Sequence, residues 1–337
     1  MLTKMTLKPK IAIIILNWNG KQDTLACLHS VAAIDYANRT TIVVDNGSTD
    51  GSADAIRSQF PDVTLIENKE NLGFAEGNNV GILLALKTDA DLIFLLNNDT
   101  VVDPGLLNAF ASCFEDHPEA GILGAKICLF DQRDTLDHWG GMWNSKSGQF
   151  DLIGLRRKAD AEGADGPQKI DYVCGAALIA KRAVWEQIGL LEPRFFLIWE
   201  ESDFCFRARK AGFATLTCPK ALIYHKVSAS FVGKPHSTYF WWRNRLLWIE
   251  RNCTSNERNR LYWKVLLPDI VHLLKIRLLK TAQLALRKRL SPKKDYRQQE
   301  EKLLKNKAAV QGILDYARRR FGNGPSWLFK RTNSKND

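Results

Sequence analysis

Short apolar runs alternate with longer amphipathic stretches through the first 130 or so residues. "IAIIIL" (11–16), "TIVVD" (41–45), "VTLIE" (63–67) and "LIFLL" (92–96) are almost continuously aliphatic or β-branched. Strands buried on both faces of a sheet need that composition. Between them, "KQDTLACLHSVAAI" (21–34), "SADAIRSQF" (52–60), "GNNVGILLALKT" (77–88) and "PGLLNAFASCFED" (104–116) have helical periodicity. Ser52 reads as a helix cap, and Pro104 suits a first helical turn. Strand–helix alternation of this kind predicts a mostly parallel sheet, with right-handed crossovers that put helices on both faces.

The polar residues fall into clusters with a fixed relation to those strands. "NWNG" (17–20), "DNGSTDGS" (45–52), "ENKENLGFAEGNN" (67–79) and "NND" (97–99) each follow a strand. All four therefore lie at the carboxyl edge of the sheet, where open α/β sheets bind ligands. Turn chemistry accounts for any one of them. It accounts poorly for four on one edge, so the pattern predicts a ligand site.

Farther along, residues 131–170 read as a loop excursion over the sheet, with a polar, mobile stretch at 156–169. A strand and helix return in "DYVCGAALIAKRAVWEQIGLLEPRFF" (171–196). The acidic cluster "WEESDFCFRARKAGF" (199–213) and the strand-like "LIYHKVSASFVG" (222–233) follow.

Charge changes the picture in the last third. The 337 residues are 45% apolar and 25% charged, an ordinary globular balance. The net +11 is unevenly spread, however: residues 236–337 carry 24 Lys and Arg against 8 Asp and Glu. The first 235 residues are mildly acidic. "YFWWRNRLLWIERN" (239–252) and "YWKVLLPDIVHLLKIRLLKTAQLALRKRL" (262–290) mix Trp, Leu and Ile with Lys and Arg. Leu267, Ile270, Val271, Leu274, Leu278, Ala282 and Ala285 make one apolar helical face, with Lys264, Lys275, Lys280, Arg287, Lys288 and Arg289 supplying charge. That is the composition of an interfacial helix on an anionic membrane. An ordinary amphipathic helix packed on the rest of the protein is the competing reading.

These features divide the chain into an N-terminal tail (1–9), an α/β domain (10–235) and a basic helical extension (236–337). Seven scattered cysteines without a C-x-x-C pair suit a reduced, cytoplasmic chain. No run is long enough to span a bilayer, and none resembles a signal peptide. The expected location is the cytoplasmic face of a membrane, as a peripheral protein.

The clusters narrow the chemistry. Asp99 behind two asparagines suits a hard divalent cation, which takes one or two carboxylates plus phosphate oxygens. Asp45 is placed to accept hydrogen bonds from a ribose or base. Neither a G-x-G-x-x-G nor a G-x-x-x-x-G-K-[ST] loop is present, which leaves a nucleotide held through a metal. Glu200, Glu201 and Asp203 either begin a helix, where acidic residues favour the macrodipole, or include a general base. His225 is the only histidine in an apolar, strand-like run.

The order "IIILNWNG", "VVDNGSTDGS", "ENLGFAEGNN", "LLNNDT", "CGAALIAKRAVWEQIGLLEPRFFLIWEESDFCFRARKAG" and "YHKVSAS" resembles the family 2 inverting glycosyltransferases of the GT-A fold, most of all their rhamnosyltransferase-like branch. The similarity covers roughly residues 10–245. It implies a nucleotide-diphosphate sugar donor and a lipid-linked or cell-surface glycan acceptor, with no nucleic acid. It further implies that Asn17 and Asn19 line the nucleotide pocket beside Asp45, and that Asn71, Gly73 and Asn78 close over the nucleotide. Asn97, Asn98 and Asp99 fall on the family's D-x-D, so Asp99 would hold Mg²⁺ or Mn²⁺ and His225 would complete the metal site. The acidic pair would supply the base, Glu201 or, failing its reach, Glu200. Two positions depart from the family pattern: Asn97 replaces a carboxylate, and Glu201 replaces an aspartate. A sugar-nucleotide nucleotidyltransferase and a non-enzymatic nucleic-acid or membrane-surface protein are the rival readings. The first lacks a basic glycine-rich loop after the first strand; the second leaves the strand-end clusters unexplained.

Overall fold

The structure is a computed structural model that describes residues 8–160, 166–227, 234–292 and 294–329. The chain divides into two compact units. One takes in residues up to Trp143 together with Phe150–Pro193 and Glu200–Val227; the other holds Asn144–Gln149, Arg194–Trp199 and the chain after Val227.

In the first unit, the four apolar runs form β1 (Ile11–Asn17), β2 (Arg39–Asp45), β3 (Thr64–Glu67) and β4 (Leu92–Asn97). They join β5 (Thr100–Val102), β6 (Ala120–Leu129), β10 (Ala177–Lys181) and β11 (Ala214–His225) in one eight-stranded sheet, ordered β3-β2-β1-β4-β10-β6-β11-β5. Pairing is parallel except where β10 meets β4 and β6 and where β5 meets β11. β1 is the most enclosed strand, with Ile11 to Ile15 at 0% exposure.

Alternate residues of β1 enter different cores. Ile11, Ile13 and Ile15 pack with helices α1 (Lys21–Ala32), α2 (Ser52–Gln59) and α4 (Leu106–Asp116). Ala12 and Ile14 pack with α3 (Gly73–Leu86), α5 (Arg182–Ile188) and α6 (Glu200–Lys210). A strand's period of two sends successive side chains to opposite faces, so a continuous apolar run serves both. Each buried aliphatic side chain contributes about 1.5–3 kcal/mol.

Several local expectations change. Ser52 does not cap α2; the cap position is Gly51, and Asp50 Oδ1 accepts from the Ser52 amide at 3.0 Å. Pro104 lies just ahead of α4, where Asp103 Oδ1 accepts from the Gly105 amide at 2.8 Å. Residues 131–170 are not a plain loop. They carry β7 (Gly140–Asn144) and β8 (Gln149–Leu152), which with β9 (Tyr172–Val173) form a three-stranded sheet, and Leu136 and Trp139 are buried. The stretch expected to be mobile lies partly outside the described residues, at 161–165, as does the "SASFVG" end of the last strand-like run.

The second unit is helical: α7 (Pro235–Asn252), α8 (Ser255–Leu261), a π-helical stretch (Tyr262–Leu266) that runs into α9 (Leu267–Leu290), and α10 (Arg297–Ala317). α10 packs closely on α7. A Cβ on Gly312 would come 2.4 Å from the Tyr239 carbonyl oxygen, so only glycine permits that approach. "WWRNRLLWIE" does not face outward as a membrane-contacting stretch would: Arg243, Asn244 and Arg245 are 0% exposed.

Candidate active site

Strand register assembles the edge. In the parallel ladders Asn17 pairs with Asp45, Asp45 with Glu67, and Leu16 with Asn97. The first, second and fourth polar clusters are thereby neighbours, and the third follows Glu67 on the same edge.

Asn17, wholly buried, is the hub. Its Nδ2 donates to Asp45 Oδ2 at 2.7 Å and to Ser48 Oγ at 3.2 Å. Its Oδ1 accepts from Thr24 Oγ1 at 2.7 Å, from Asn98 Nδ2 at 3.2 Å and from the Gly20 amide at 3.2 Å. A Cβ on Gly20 would lie 2.5 Å from Asn98 Nδ2, so a larger residue there would displace the Asn98 amide. Asp45 Oδ1 accepts from the Ser48 amide at 2.8 Å, which fixes the carboxylate while leaving it lone pairs for a ligand.

The other residues expected at the nucleotide divide by what their side chains already do. Asn19, exposed and at φ 50°, accepts from the Thr49 amide at 2.7 Å and ties the first loop to the second. Asn71 Oδ1 accepts from Asn46 Nδ2 at 3.0 Å and from the Gly73 amide at 2.8 Å. Gly73 begins α3 at φ 82°. Asn78 is 2% exposed and donates to the Phe74 carbonyl of its own helix at 2.9 Å, so its amide braces α3. Asn98 donates to Thr24 Oγ1 at 2.9 Å as well as to Asn17. Asn97 ends β4, its carbonyl accepting from Thr100 Oγ1 at 2.7 Å.

Beyond Asn98 the chain turns into β5, which pairs with the end of β11 so that His225 lies opposite Thr100. This brings His225 Nε2 to 3.2 Å from Asp99 Oδ1. The approach is close, but that oxygen is buried without an aligned hydrogen-bond donor. On the other side of the ring, Nδ1 is 3.2 Å from Asp137 Oδ2, and Arg156 Nη1 is 3.4 Å from Asp137 Oδ1. Burial alone would lower the His225 pKa; the contacts with Asp137 and Asp99 outweigh it and raise the value to about 10.

A carboxylate oxygen and an imidazole nitrogen that face one another without an aligned hydrogen bond fit a shared divalent cation. Asp137 would fix the imidazole from behind, as outer partners of metal-bound histidines do. Among the described residues no group of three or more His, Cys, Asp or Glu is arranged around one metal position. A cation here would complete its shell from diphosphate oxygens and water, the usual pattern for Mg²⁺.

The acidic pair opens α6. Glu200 is 3% exposed; Glu201 is half-buried, its side chain lying against Gly175. Cys174 reports the surroundings: burial pushes its thiol up to about 12, His225 opposes this, and Asp137 and Glu201 reinforce it. His138, lowered mainly by burial, feels Asp137, Glu201 and His225. Asp99, His225 and Asp137 thus form one chain of contacts in the first unit, and Glu201 is close enough to act electrostatically on Cys174 and His138 beside it.

Sequence reasoning missed Asp137, His138 and Lys226. The Lys226 amide donates to the Asp99 carbonyl at 2.9 Å, and its ammonium is 2.7 Å from Asp23 Oδ1. "TLDHWGG" held a signal, an Asp-His pair among buried aromatics, but nothing in the sequence tied it to His225.

Residues 9–249 match the model of the family described as glycosyltransferase like family 2. N-acetylglucosaminyl-diphospho-decaprenol L-rhamnosyltransferase of Mycobacterium tuberculosis is 26% identical over 254 residues, covering 63% of this chain and 80% of that protein. The dTDP-rhamnosyl transferase RfbF of Shigella flexneri is 24% identical, over 72% of this chain and 80% of that one. Among solved structures, the mannosyltransferase PcManGT from Pyrobaculum calidifontis, in complex with GDP-Man and Mn²⁺, superposes with a TM-score of 0.56 at 16% identity, covering 94% of this chain and 89% of that one. At that identity the likeness bears on the fold.

Proposed function

The chain belongs to glycosyltransferase like family 2, is a glycosyltransferase and has the GT-A architecture, and on that premise we propose the reaction it carries out. It transfers L-rhamnose from a nucleoside-diphosphate donor, with inversion, to a hydroxyl of a lipid-linked or cell-surface glycan. The carrying observation is the meeting of Asp99, His225 and Asp137 at the sheet edge that also carries Asp45, with Glu201 acting electrostatically on the same surroundings. The rhamnosyl donor and a prenyl-diphosphate acceptor are drawn from what the similar proteins are named for.

Asp45 accepts hydrogen bonds from the ribose or base, and the loops braced by Asn17, Asn71 and Asn98 hold the nucleotide edge in place. Asp99 and His225 would hold a divalent cation, Mg²⁺ or Mn²⁺, which would supply positive charge against the departing diphosphate. Asn97, a neutral oxygen ligand at most, would leave that cation more weakly held than a second carboxylate would. Glu201 removes the proton of the acceptor hydroxyl as its oxygen bonds to the anomeric carbon. The anomeric C–O bond to the diphosphate breaks in the same displacement, which inverts the centre and releases a nucleoside diphosphate. Glu200, more deeply buried, is the alternative base.

The second unit supports a membrane-surface location. No described helix is long and apolar enough to cross a membrane. None of α9 is buried, and Leu267, Val271, Leu274 and Leu278 are 41–72% exposed beside exposed Lys264 and Lys275. Such a face binds an anionic interface through apolar burial and charge together.

Thermal shift against dTDP-, UDP- and GDP-sugars with Mn²⁺ identifies the donor, because a bound ligand stabilises the folded state by mass action. Glu201→Gln should abolish transfer with donor binding retained; near-normal turnover would remove Glu201 from the base role. Release of pyrophosphate in place of nucleoside diphosphate would favour the nucleotidyltransferase reading.

A further inference from the structure

The six residues before the acidic pair, Arg194–Trp199, contain an unusual backbone. Phe196, Ile198 and Trp199 have φ of 64°, 61° and 78°. None is glycine, and one is β-branched, for which the left-handed region is a genuine outlier. Such conformations persist only where surrounding structure over-determines them, and they cluster at functional sites.

Here the surrounding structure is two adjacent side chains of α7, both 0% exposed. Asn244 Nδ2 donates to the carbonyls of Phe195 and Leu197 at 2.8 Å and of Ile198 at 2.9 Å. Arg243 Nη2 donates to the Phe195 carbonyl at 2.8 Å and approaches that of Arg194 at 3.3 Å. Arg243 Nε donates to Asn244 Oδ1 at 3.0 Å, which turns the Asn244 amide so that its nitrogen faces the carbonyls. Phe196 stacks on Phe240, with ring centroids 5.5 Å apart. The turn ends at Trp199, and the next two residues are Glu200 and Glu201, the first of α6.

We propose that Arg243 and Asn244 are positioning residues for catalysis: they clamp Arg194–Trp199 in its left-handed conformation and so fix where α6 begins and where Glu201 is presented. Helix α7 then belongs to the catalytic apparatus through the chain itself, a role its basic, aromatic composition does not announce. The inference rests on Glu201 as the base.

The test uses the full chain and two independent readouts. By hydrogen exchange, Asn244→Ala should accelerate exchange across residues 194–203, including the first turn of α6, with α10 and the sheet unchanged. In transfer from dTDP-L-rhamnose to prenyl-diphosphate-linked N-acetylglucosamine, it should lower kcat by about ten- to a hundredfold while the Kd for dTDP with Mn²⁺ stays within about twofold, as displacement of a reacting group does. Ile198→Gly, which accepts φ near 60° without steric cost, should recover part of that loss in the Asn244→Ala background, and mere destabilisation would not be rescued so. Should Asn244→Ala not fold, Arg243→Lys, which cannot keep the fork of donors, is read in the same way. Unchanged exchange at 200–203, or unchanged kcat in wild-type-active conditions, overturns the clamp. If the wild type releases no dTDP the rhamnosyl reading fails, and the exchange result alone still decides the clamp.

Discussion

Helices α7 and α9 both mix large apolar residues with basic ones, and they have opposite fates. α7 mixes Trp, Leu and Ile with Arg, α9 mixes Leu and Ile with Lys and Arg, and both sit in the basic third of the chain. In α7, Arg243, Asn244, Arg245, Leu247 and Trp248 are 0% exposed, whereas α9 buries nothing. What separates them is where the polar atoms find partners. Arg245 donates to the carbonyls of Gly148 at 2.9 Å and Ser147 at 2.7 Å, and Arg243 and Asn244 donate to the carbonyls of Arg194, Phe195, Leu197 and Ile198. A buried guanidinium is tolerable only with such partners. Composition records the side chains of a helix; the carbonyls it meets come from segments about a hundred residues away in sequence for Arg245 and about fifty for the other two.

The sharpest way to break the contrast is to make the same substitution in α7 and in the stretch that runs into α9. Trp248→Ala should cost about 3–5 kcal/mol in urea denaturation, while Trp263→Ala, just ahead of α9, should stay within about 0.5 kcal/mol. Similar losses at both would mean that the α9 end is packed in solution. Arg245→Ala comes next, at about 2–3 kcal/mol, because it removes a buried cation and leaves two carbonyls without their donor. Arg289→Ala, exposed at the end of α9, should leave stability unchanged in the same denaturation series.

A different readout should reverse the order. Leu278→Ser with Leu274→Ser should leave the melting temperature alone and weaken flotation with anionic liposomes by on the order of tenfold or more, from the lost apolar burial. Full retention on liposomes would remove α9 from the membrane.

The smallest effect concerns pH. Desolvation favours protonation of Glu250 on α7, but hydrogen bonds from Arg319 and Tyr316 outweigh it and lower its pKa. A carboxyl lowered on folding adds stability above its ordinary unfolded value and loses it as pH falls through the folded one. Glu250→Gln should therefore flatten the acid limb of the stability curve, seen by comparing urea midpoints between about pH 6 and 3. An identical acid limb would argue that this pair is screened at the surface.

Much of the first unit was legible because parallel strands announce themselves. Runs such as Ile11–Leu16 must be apolar on both faces, and their polar continuations must then share an edge, so Asn17, Asp45 and Asn97 could be grouped before any register was known. The Asp137–His225 contact was hidden, since the two residues are 88 positions apart and meet only because β11 returns beside β6. Residues 131–170 were misjudged because strands as short as Gln149–Leu152 carry too few positions for a period to show.

The sequence alone determined the sheet, the edge on which its polar clusters gather, the family likeness and the concentration of basic charge after residue 235. Those follow from local periodicity and composition, which act over a few residues at a time. The tertiary structure decided which polar groups of that edge are already bonded to one another, which carboxylates flank His225, and which basic helix is buried. Each depends on partners that are remote in sequence, and a hydrogen bond is specified by both of its ends.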